Sequence, residues 1–281
     1  MKDSFHAAYD FRSTVVPDNC IFYRCDAKDF YLSGNQSELI EDVINNFEKG
    51  PRAQLLKLVL QFLLKHQYIR SQYTPGDTFR CTQGSGMGTR FGGYVADLAL
   101  LSKVEWWCTA PGVQKKNGII AYWRFRDDLL FLSKGPGEKF VPFFHEFRQK
   151  AGYFKILLEE VGYEVEYLDM KVTINDHHLS ITPKLKGSTM VTPLAIDSCH
   201  PSTAHAYWPT AMMARLSKIG AGCSGTDKVL QELRQRFHEA GRSLQPPRPR
   251  QKPTEADGVS VSWLPISFNP VLVRPMKKSP Q

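Results

Sequence analysis

Two adjacent carboxylates, Asp127 and Asp128, lie between two apolar arms in the run YWRFRDDLLFLS, Tyr122 to Ser133. Ile119, Ala121, Trp123 and Phe125 alternate before them, and Leu129, Phe131 and Ser133 alternate after them. Period-two patterning on both arms predicts a hairpin with Arg126-Asp127-Asp128 at or near the bend. Two carboxylates at a tight turn repel each other, a cost that falls when a cation sits between them. A hard, oxygen-seeking divalent ion such as Mg²⁺ is the chemical match. Asp is also an ordinary turn former, so a solvated Asp-Asp pair would carry the same letters. A third acid adds weight to the metal reading. Asp26 closes the apolar run CIFYRCDA, Cys20 to Ala27, which reads as a strand. Asp26 alone could equally be a strand-end cap and Asp29 competes for the role; Asp26 is preferred because the apolar strand leads straight into it. Placed beside the hairpin, Asp26, Asp127 and Asp128 would hold two Mg²⁺ ions roughly 3.5–4 Å apart, with Mn²⁺ able to substitute. Such a pair activates a hydroxyl for attack and stabilises in-line displacement at a phosphate.

The second chemistry-bearing stretch is the glycine-rich run QGSGMGTRFGG, Gln83 to Gly93. It has neither the G-x-G-x-x-G spacing nor a Gly-Lys-Ser/Thr ending, so dinucleotide and P-loop readings fall away. Gly84, Gly86 and Gly88 would let backbone approach a nucleotide or template strand without a Cβ clash. A helix opening behind them would turn its positive end toward phosphate. Gln83 would then contact a base or sugar. A merely flexible turn before a helix has the same composition.

These groups need a scaffold, and the chain has length for one: 281 residues, 42% hydrophobic and 23% charged, ordinary for a globular protein. The net charge of +8 favours polyanionic partners. Six scattered cysteines without a C-x-x-C, and no signal peptide, point to free thiols in a reducing compartment. LLKLVLQFLL is too short to span a membrane. Residues 1–18 are mixed and end in a turn. Asn35 with Glu38 predicts a capped helix reaching toward Gly50, and Pro51 opens a second helix to about His66. The apolar positions of that second helix (Leu55, Leu56, Val59, Leu60, Phe62, Leu63) read as core. A short strand TFRCT, a helix over YVADLALLSKVEWW, the acidic hairpin and a helix at Glu138 to Lys150 follow. A strand near Tyr153 to Leu158 precedes Glu164 to Ile174, which pairs through a turn at Asn175-Asp176 with LSITPKL. Helices are predicted at Thr210 to Gly220 and Asp227 to Gly241. Residues 243–258 form a Pro-rich linker, and 259–281 a C-terminal segment with a strand-like piece.

In order, Asp26 with an aromatic five residues on, QGSGMGT, YWRFRDD and EYLDMKV resemble reverse-transcriptase motifs A, B, C and E. The run is most similar to Penelope-like retroelement enzymes, whose motif B reads Gly-x-x-Met-Gly-Ser/Thr. DSCHPSTAH (Asp197 to His205), ARLSKI (Ala214 to Ile219) and WLPISFNP near the end resemble distal segments of that branch. The resemblance spans Asp26 to Pro270. It implies an α+β fold: a right-hand polymerase palm, an antiparallel sheet with packed helices over 1–178, followed by a mainly helical thumb at 179–242. It implies template-directed DNA synthesis by two-metal nucleotidyl transfer to a primer 3′-hydroxyl. The partners would be an RNA or DNA template with primer and deoxynucleoside triphosphates, with no membrane and a nuclear rather than cytoplasmic location. Asp26, Asp127 and Asp128 match the metal-binding acids. Tyr31 matches the bulky gate under the sugar, and is equally at home as a core aromatic. Tyr167, Leu168, Asp169 and Met170 match the primer grip, and Lys155 is a candidate for the lysine near pyrophosphate, with a solvated surface lysine the more ordinary reading.

The family places fingers, with cations that grip the triphosphate, ahead of the first catalytic acid. Only residues 1–25 stand there, so fingers are expected to be lacking and extension by this chain alone to be weak or absent, and restored when an upstream fingers segment is supplied. The alternatives are a catalytically inactive nucleic-acid-binding remnant, or a telomerase- or group-II-intron-like polymerase core. Arg126 either neutralises the acids or points outward. Cys199, His200 and His205 match no standard zinc spacing.

Overall fold

β1 (Cys20–Lys28) is the strand around which the main sheet is built. It pairs antiparallel with β5 (Asp128–Lys134) on one side and β6 (Lys155–Gly162) on the other. β4 (Ile119–Phe125) completes the hairpin, giving the order β4-β5-β1-β6. The computed structural model describes residues 3–70, 73, 76–135, 137–185, 199–239 and 241. Met1–Gln245 form one compact unit, which holds every described residue.

The near-continuous apolar letters of β1 and β5 follow from a sheet covered on both faces. On one face Tyr23, Cys25, Ala27, Leu129 and Phe131 pack against three helices: α2 (Gln36–Ile44), α4 (Gly92–Leu100) and α7 (Phe140–Ala151). Phe140, Phe143 and Phe147 recur at helical spacing and ring Phe131 at 5.3–5.7 Å between centroids. Each such buried ring contributes about 1.5–3 kcal/mol. On the other face Phe22, Trp123, Leu130 and Leu132 meet α1 (Ser4–Ser13). A meander of β7 (Glu164–Tyr167), β8 (Met170–Asn175) and β9 (His178–Pro183) joins them there. A third cluster joins α8 (Ser202–Ile219) to α9 (Thr226–Glu239) through Leu216, Leu230, Leu233 and Phe237.

α4 runs on through a π-helical stretch, Leu101–Glu105, into α5 (Trp106–Cys108), and α6 (Pro111–Asn117) leads to β4. α3 (Pro51–Lys65) precedes a separate two-stranded ribbon of β2 (Tyr68–Arg70) and β3 (Thr78–Arg80). Among the described residues no helix is long and apolar enough to cross a membrane.

Several sequence expectations change. Residues 4–13 are helical: Ala7, Ala8 and Phe11 face the core, and Asp3 caps the start by accepting from the His6 amide at 2.9 Å. α2 is capped by Asn35 as expected but stops at Ile44, because Asn46 turns its amide back onto the carbonyls of Asp42 and Val43. The alternation in β4 breaks at a register shift between Ile119 and Ala121, so Ile119 joins the helical face while Ala121 and Trp123 join the other. Glu164 to Ile174 is two strands, since Leu168 adopts a left-handed φ of 54° and reverses the chain. α3 is only half buried. Ala53, Leu60 and Leu64 reach the interior, whereas Leu55, Val59 and Phe62 face outward. The linker at 243–258, the segment at 259–281, Asp197, Ser198 and WLPISFNP lie outside the described residues.

Candidate active site

The three acids expected from the sequence come together through strand register. Asp26 is the Cα partner of Asp128 across β1 and β5, and Asp127 sits beside it in the two-residue turn of the hairpin. The Ala27 amide donates to the Asp127 carbonyl at 2.9 Å, clamping the turn to the strand that carries Asp26. Asp26 and Asp128 share the face of Phe22, Leu130 and Leu132, just past the end of that core. Asp29 instead starts the 3-10 turn Phe30–Leu32 in a left-handed conformation and is exposed.

Burial raises the Asp26 pKa, and the charges of Glu159, Asp127 and Asp128 push it further, while Arg24 pulls it down. Burial and neighbouring negative charge both disfavour the ionised form of a carboxyl group. The donor set is all oxygen, as Mg²⁺ or Mn²⁺ requires. Among the described residues no three His, Cys, Asp or Glu side chains already converge on a single point able to hold an ion. The backbone brings the three acids to one end of the sheet.

Glu159 is a participant the sequence did not reveal. Arg24 pairs with Glu160 and Cys25 with Leu158, so Glu159 is the unopposed residue of a β-bulge in edge strand β6. Arg24 meets both neighbours, Glu159 at 3.0 Å and Glu160 at 3.1 Å. No local pattern marks a bulge before the partner strand is known.

The turn is also held from the helical side. Arg124 donates to both carboxylate oxygens of Glu105 at 2.8 Å, to Asp97 at 2.7 Å and to the Arg126 carbonyl at 2.9 Å. Tyr122 adds a third hydrogen bond to Glu105 at 2.8 Å. Glu105 lies in the π-helical stretch, which swings it onto β4. Arg126, with a left-handed φ of 56°, pairs with Asp97 and lies over the Tyr94 ring at 5.3 Å. It points along α4 and is tied to Asp97 there.

Tyr31 is partly buried, its ring edge-on to Phe30 at 5.4 Å. Burial raises the phenol's pKa; Arg126 lowers it, and Asp127 and Asp97 add to the rise, so Tyr31 feels the hairpin turn electrically. The glycine run is laid against Tyr31. The Ser85 and Gly86 amides donate to the Tyr31 carbonyl at 2.9 and 3.3 Å. A Cβ on Gly84 would stand 2.2 Å from that carbonyl oxygen, and one on Gly86 would stand 2.2 Å from the Gln67 amide oxygen. Gly84 is therefore required by the backbone packed against it, whereas at Gly86 the Gln67 side chain would have to move. Gly88 has open space where its Cβ would be. All three have positive φ. Gln83 is exposed and bridges to Asn35.

In the proposed primer-grip stretch, Tyr167 and Met170 are core residues, Leu168 packs against the same cluster, and Asp169 accepts from Ser4 at 2.9 Å and pairs with Arg215. The Tyr167 hydroxyl donates to the Asp128 carbonyl at 3.2 Å. Lys155 is exposed and is the Cα partner of Lys28.

No family model matches the chain, and no curated protein matches it. Its fold is similar to a telomerase of Candida albicans solved with a fragment of telomeric RNA, with a TM-score of 0.50 and 12% identity. The match covers 84% of this chain and 43% of the telomerase chain, so the protein spans less than half of that neighbour's length. Telomerase of Candida tropicalis in its apo form gives a TM-score of 0.45 at 13% identity, covering 84% of this chain and 45% of that one. The version truncated from its C-terminal domain gives 0.46 at 14%, covering 64% and 40%. The mixed helical and antiparallel-sheet fold is thus similar to that of a telomerase.

Proposed function

We propose that this chain is a reverse-transcriptase core, of the Penelope-like retroelement kind, that joins deoxynucleotides to a primer 3′-hydroxyl under the direction of a template. The observation that carries this reading is the register that sets Asp26 opposite Asp128 with Asp127 at the adjoining turn. In the reaction the primer 3′-oxygen attacks the α-phosphorus of the nucleoside triphosphate, the bond to the β-phosphate oxygen breaks, and pyrophosphate leaves. Two Mg²⁺ ions, for which Asp26, Asp127 and Asp128 would be the ligands, would supply hydroxyl activation and charge neutralisation at phosphorus.

The protein's own groups do the rest. Arg24 offsets part of the negative charge around Asp26 while tied to Glu159 and Glu160. Arg124 fixes the Arg126 carbonyl, and Tyr167 fixes that of Asp128, so the turn carrying the acids is held from both faces. Preorganisation of this kind removes rearrangement from the reaction step. Tyr31, with its backbone clamped by the glycine run, would lie under the sugar and exclude a 2′-hydroxyl. Exposed Gln83 and the open flank of Gly88 would face nucleotide or template. The region from 179 to 242 would act as the thumb, with the stretch Tyr167 to Met170 near the primer.

Primer extension on an RNA template tests the reading. Mg²⁺-dependent, template-matched incorporation should fall roughly 10²–10³-fold or more in Asp127→Asn. Incorporation that persists in Asp127→Asn, or that ignores template sequence, contradicts it.

A further inference from the structure

A groove of about 420 Å³ runs from the 3-10 turn that follows Asp29, past the glycine run, to β2. Leu32, Phe62, Tyr68, Ile69 and Met87 form much of its wall, and its described walls contain no Asp or Glu. These side chains are open to solvent: Phe62 is 63% exposed, Tyr68 57% and Met87 74%. The groove thus carries contiguous apolar side chains that are open to a ligand. The ribbon adds charge. Tyr68 is the Cα partner of Arg80, and Arg70 lies two residues along from Tyr68, so one face of the β2–β3 ribbon presents an aromatic ring between two guanidinium groups. Their backbones are held in the ribbon ladder, and among the described residues neither the Arg70 nor the Arg80 guanidinium has an ion-pair or hydrogen-bond partner.

A covering ligand must therefore offer flat apolar surfaces and repeated negative charge, with no cation needed to meet a carboxylate. Single-stranded nucleic acid has this chemistry, because unpaired bases stack on aromatic rings while the phosphates meet cations. A duplex does not, since its base faces are already occupied. We propose that the groove and the β2–β3 ribbon bind a single strand, with bases on Tyr68 and Phe62 and phosphates at Arg70 and Arg80. Gln83 and Gly86 line the same groove, and the Gly86 amide donates to the Tyr31 carbonyl, so the groove adjoins the glycine run that is laid against Tyr31. The strand is therefore the unpaired part of the template; that identity rests on the polymerase reading, whereas the binding chemistry does not.

The test is fluorescence anisotropy with the full 281-residue chain, a labelled oligodeoxythymidylate, its RNA counterpart and a blunt duplex. Tyr68→Ala combined with Arg80→Ala should weaken single-strand binding about tenfold or more while leaving blunt-duplex binding unchanged. The salt slope should fall by about 0.7 for the lost arginine–phosphate contact. Both positions are exposed, and matching circular-dichroism melts would establish that the variant is folded. Unchanged single-strand affinity and slope in the folded variant overturn the proposal, as does equal loss of single-strand and duplex binding. A groove that serves as a contact between two copies would show as concentration-dependent dimerisation lost in Phe62→Asp, with oligonucleotide binding unmoved, and would also overturn it. Selective loss of single-strand binding in a chain that extends no primer even when a fingers segment is supplied supports this site and counts against the polymerase reading alone.

Discussion

The phenol of Tyr167 donates a hydrogen bond to the backbone carbonyl of Asp128 at 3.2 Å, so the tip of one hairpin holds the tip of another. Tyr167 is buried, with its ring edge-on to Phe11 at 6.0 Å, and its hydroxyl reaches the end of β5 from below. Tyr167→Phe keeps the ring and removes the bond. It should cost about 1–2 kcal/mol in urea unfolding, because a partly buried carbonyl loses its donor. It should also lower activity by loosening the turn. A variant as stable and as active as the parent would show that this contact is incidental.

Asp26 is expected to be a group that function keeps at the expense of stability. Its pKa is raised by burial first, then by Glu159, Asp127 and Asp128. A carboxylate with a raised folded-state pKa favours folding while protonated. Its contribution is complete below the ordinary value of 3.8 and is lost as pH rises through the raised value. At pH 7 the charged group therefore opposes folding of the ion-free protein. Asp26→Asn, neutral throughout, should stabilise by roughly 0.5–2 kcal/mol at pH 7, abolish extension, and lose its stabilising effect below about pH 3. Thermal melts across pH check the sign. A variant less stable at pH 7 than at pH 3, relative to the parent, would be wrong in direction.

Arg124 and Glu105 form a nearly dry pair, 12% and 9% exposed in their side chains. Removing one member leaves the other charged in the interior. Glu105→Ala should cost about 3–5 kcal/mol. Asp97 alone cannot replace the two bonds Glu105 accepts from Arg124. Denaturant midpoints test this, and a loss within 0.5 kcal/mol, the ordinary range for surface changes, would exclude a structural role for the pair.

Two glycines in one loop should respond differently to the same change. Gly84→Ala and Gly88→Ala both place a side chain at positive φ, 72° and 83°, which costs about 1–2 kcal/mol. Only Gly84 also drives a Cβ to 2.2 Å from the Tyr31 carbonyl oxygen. Gly84→Ala should therefore be the more damaging to stability and should shift discrimination between deoxy- and ribonucleotides by moving Tyr31. Equal effects from the two substitutions would mean that the Tyr31 turn is not clamped by this loop.

Much of the site was legible because its signals are local. Alternating apolar letters around Asp127 and Asp128 mark a hairpin, and the strand ending near Asp26 marks its neighbour. Antiparallel pairing then supplies the register that sets Asp26 opposite Asp128. What escaped depends on contacts between distant elements. Glu159 is conspicuous only once the bulge in β6 is set against β1. Glu105 lies nineteen residues before Arg124 and reaches it through a π-helical turn that no side-chain period announces. The apolar stripe of α1 is short, Ala7, Ala8 and Phe11, and gains meaning only against Trp123 and Tyr167, which Phe11 meets edge-on. Conversely, the letters of α3 promised a buried helix, yet only the stripe of Ala53, Leu60 and Leu64 finds an interior. Apolar content alone does not say which side of a helix has a neighbour.

If Asp26, Asp127 and Asp128 act as one metal site, Mn²⁺ should bind the chain saturably, because crowded carboxylates release repulsion when an ion enters. Electron paramagnetic resonance of free Mn²⁺ during titration, in the presence of primer–template and a deoxynucleoside triphosphate, reads this directly. The expected result is a stoichiometric class of sites weakened at least about tenfold by Asp26→Asn and by Asp127→Asn individually, with Mg²⁺ competing and Asp29→Asn without effect. Binding that is indifferent to Asp26 and Asp127, or that follows Asp29 instead, would contradict it.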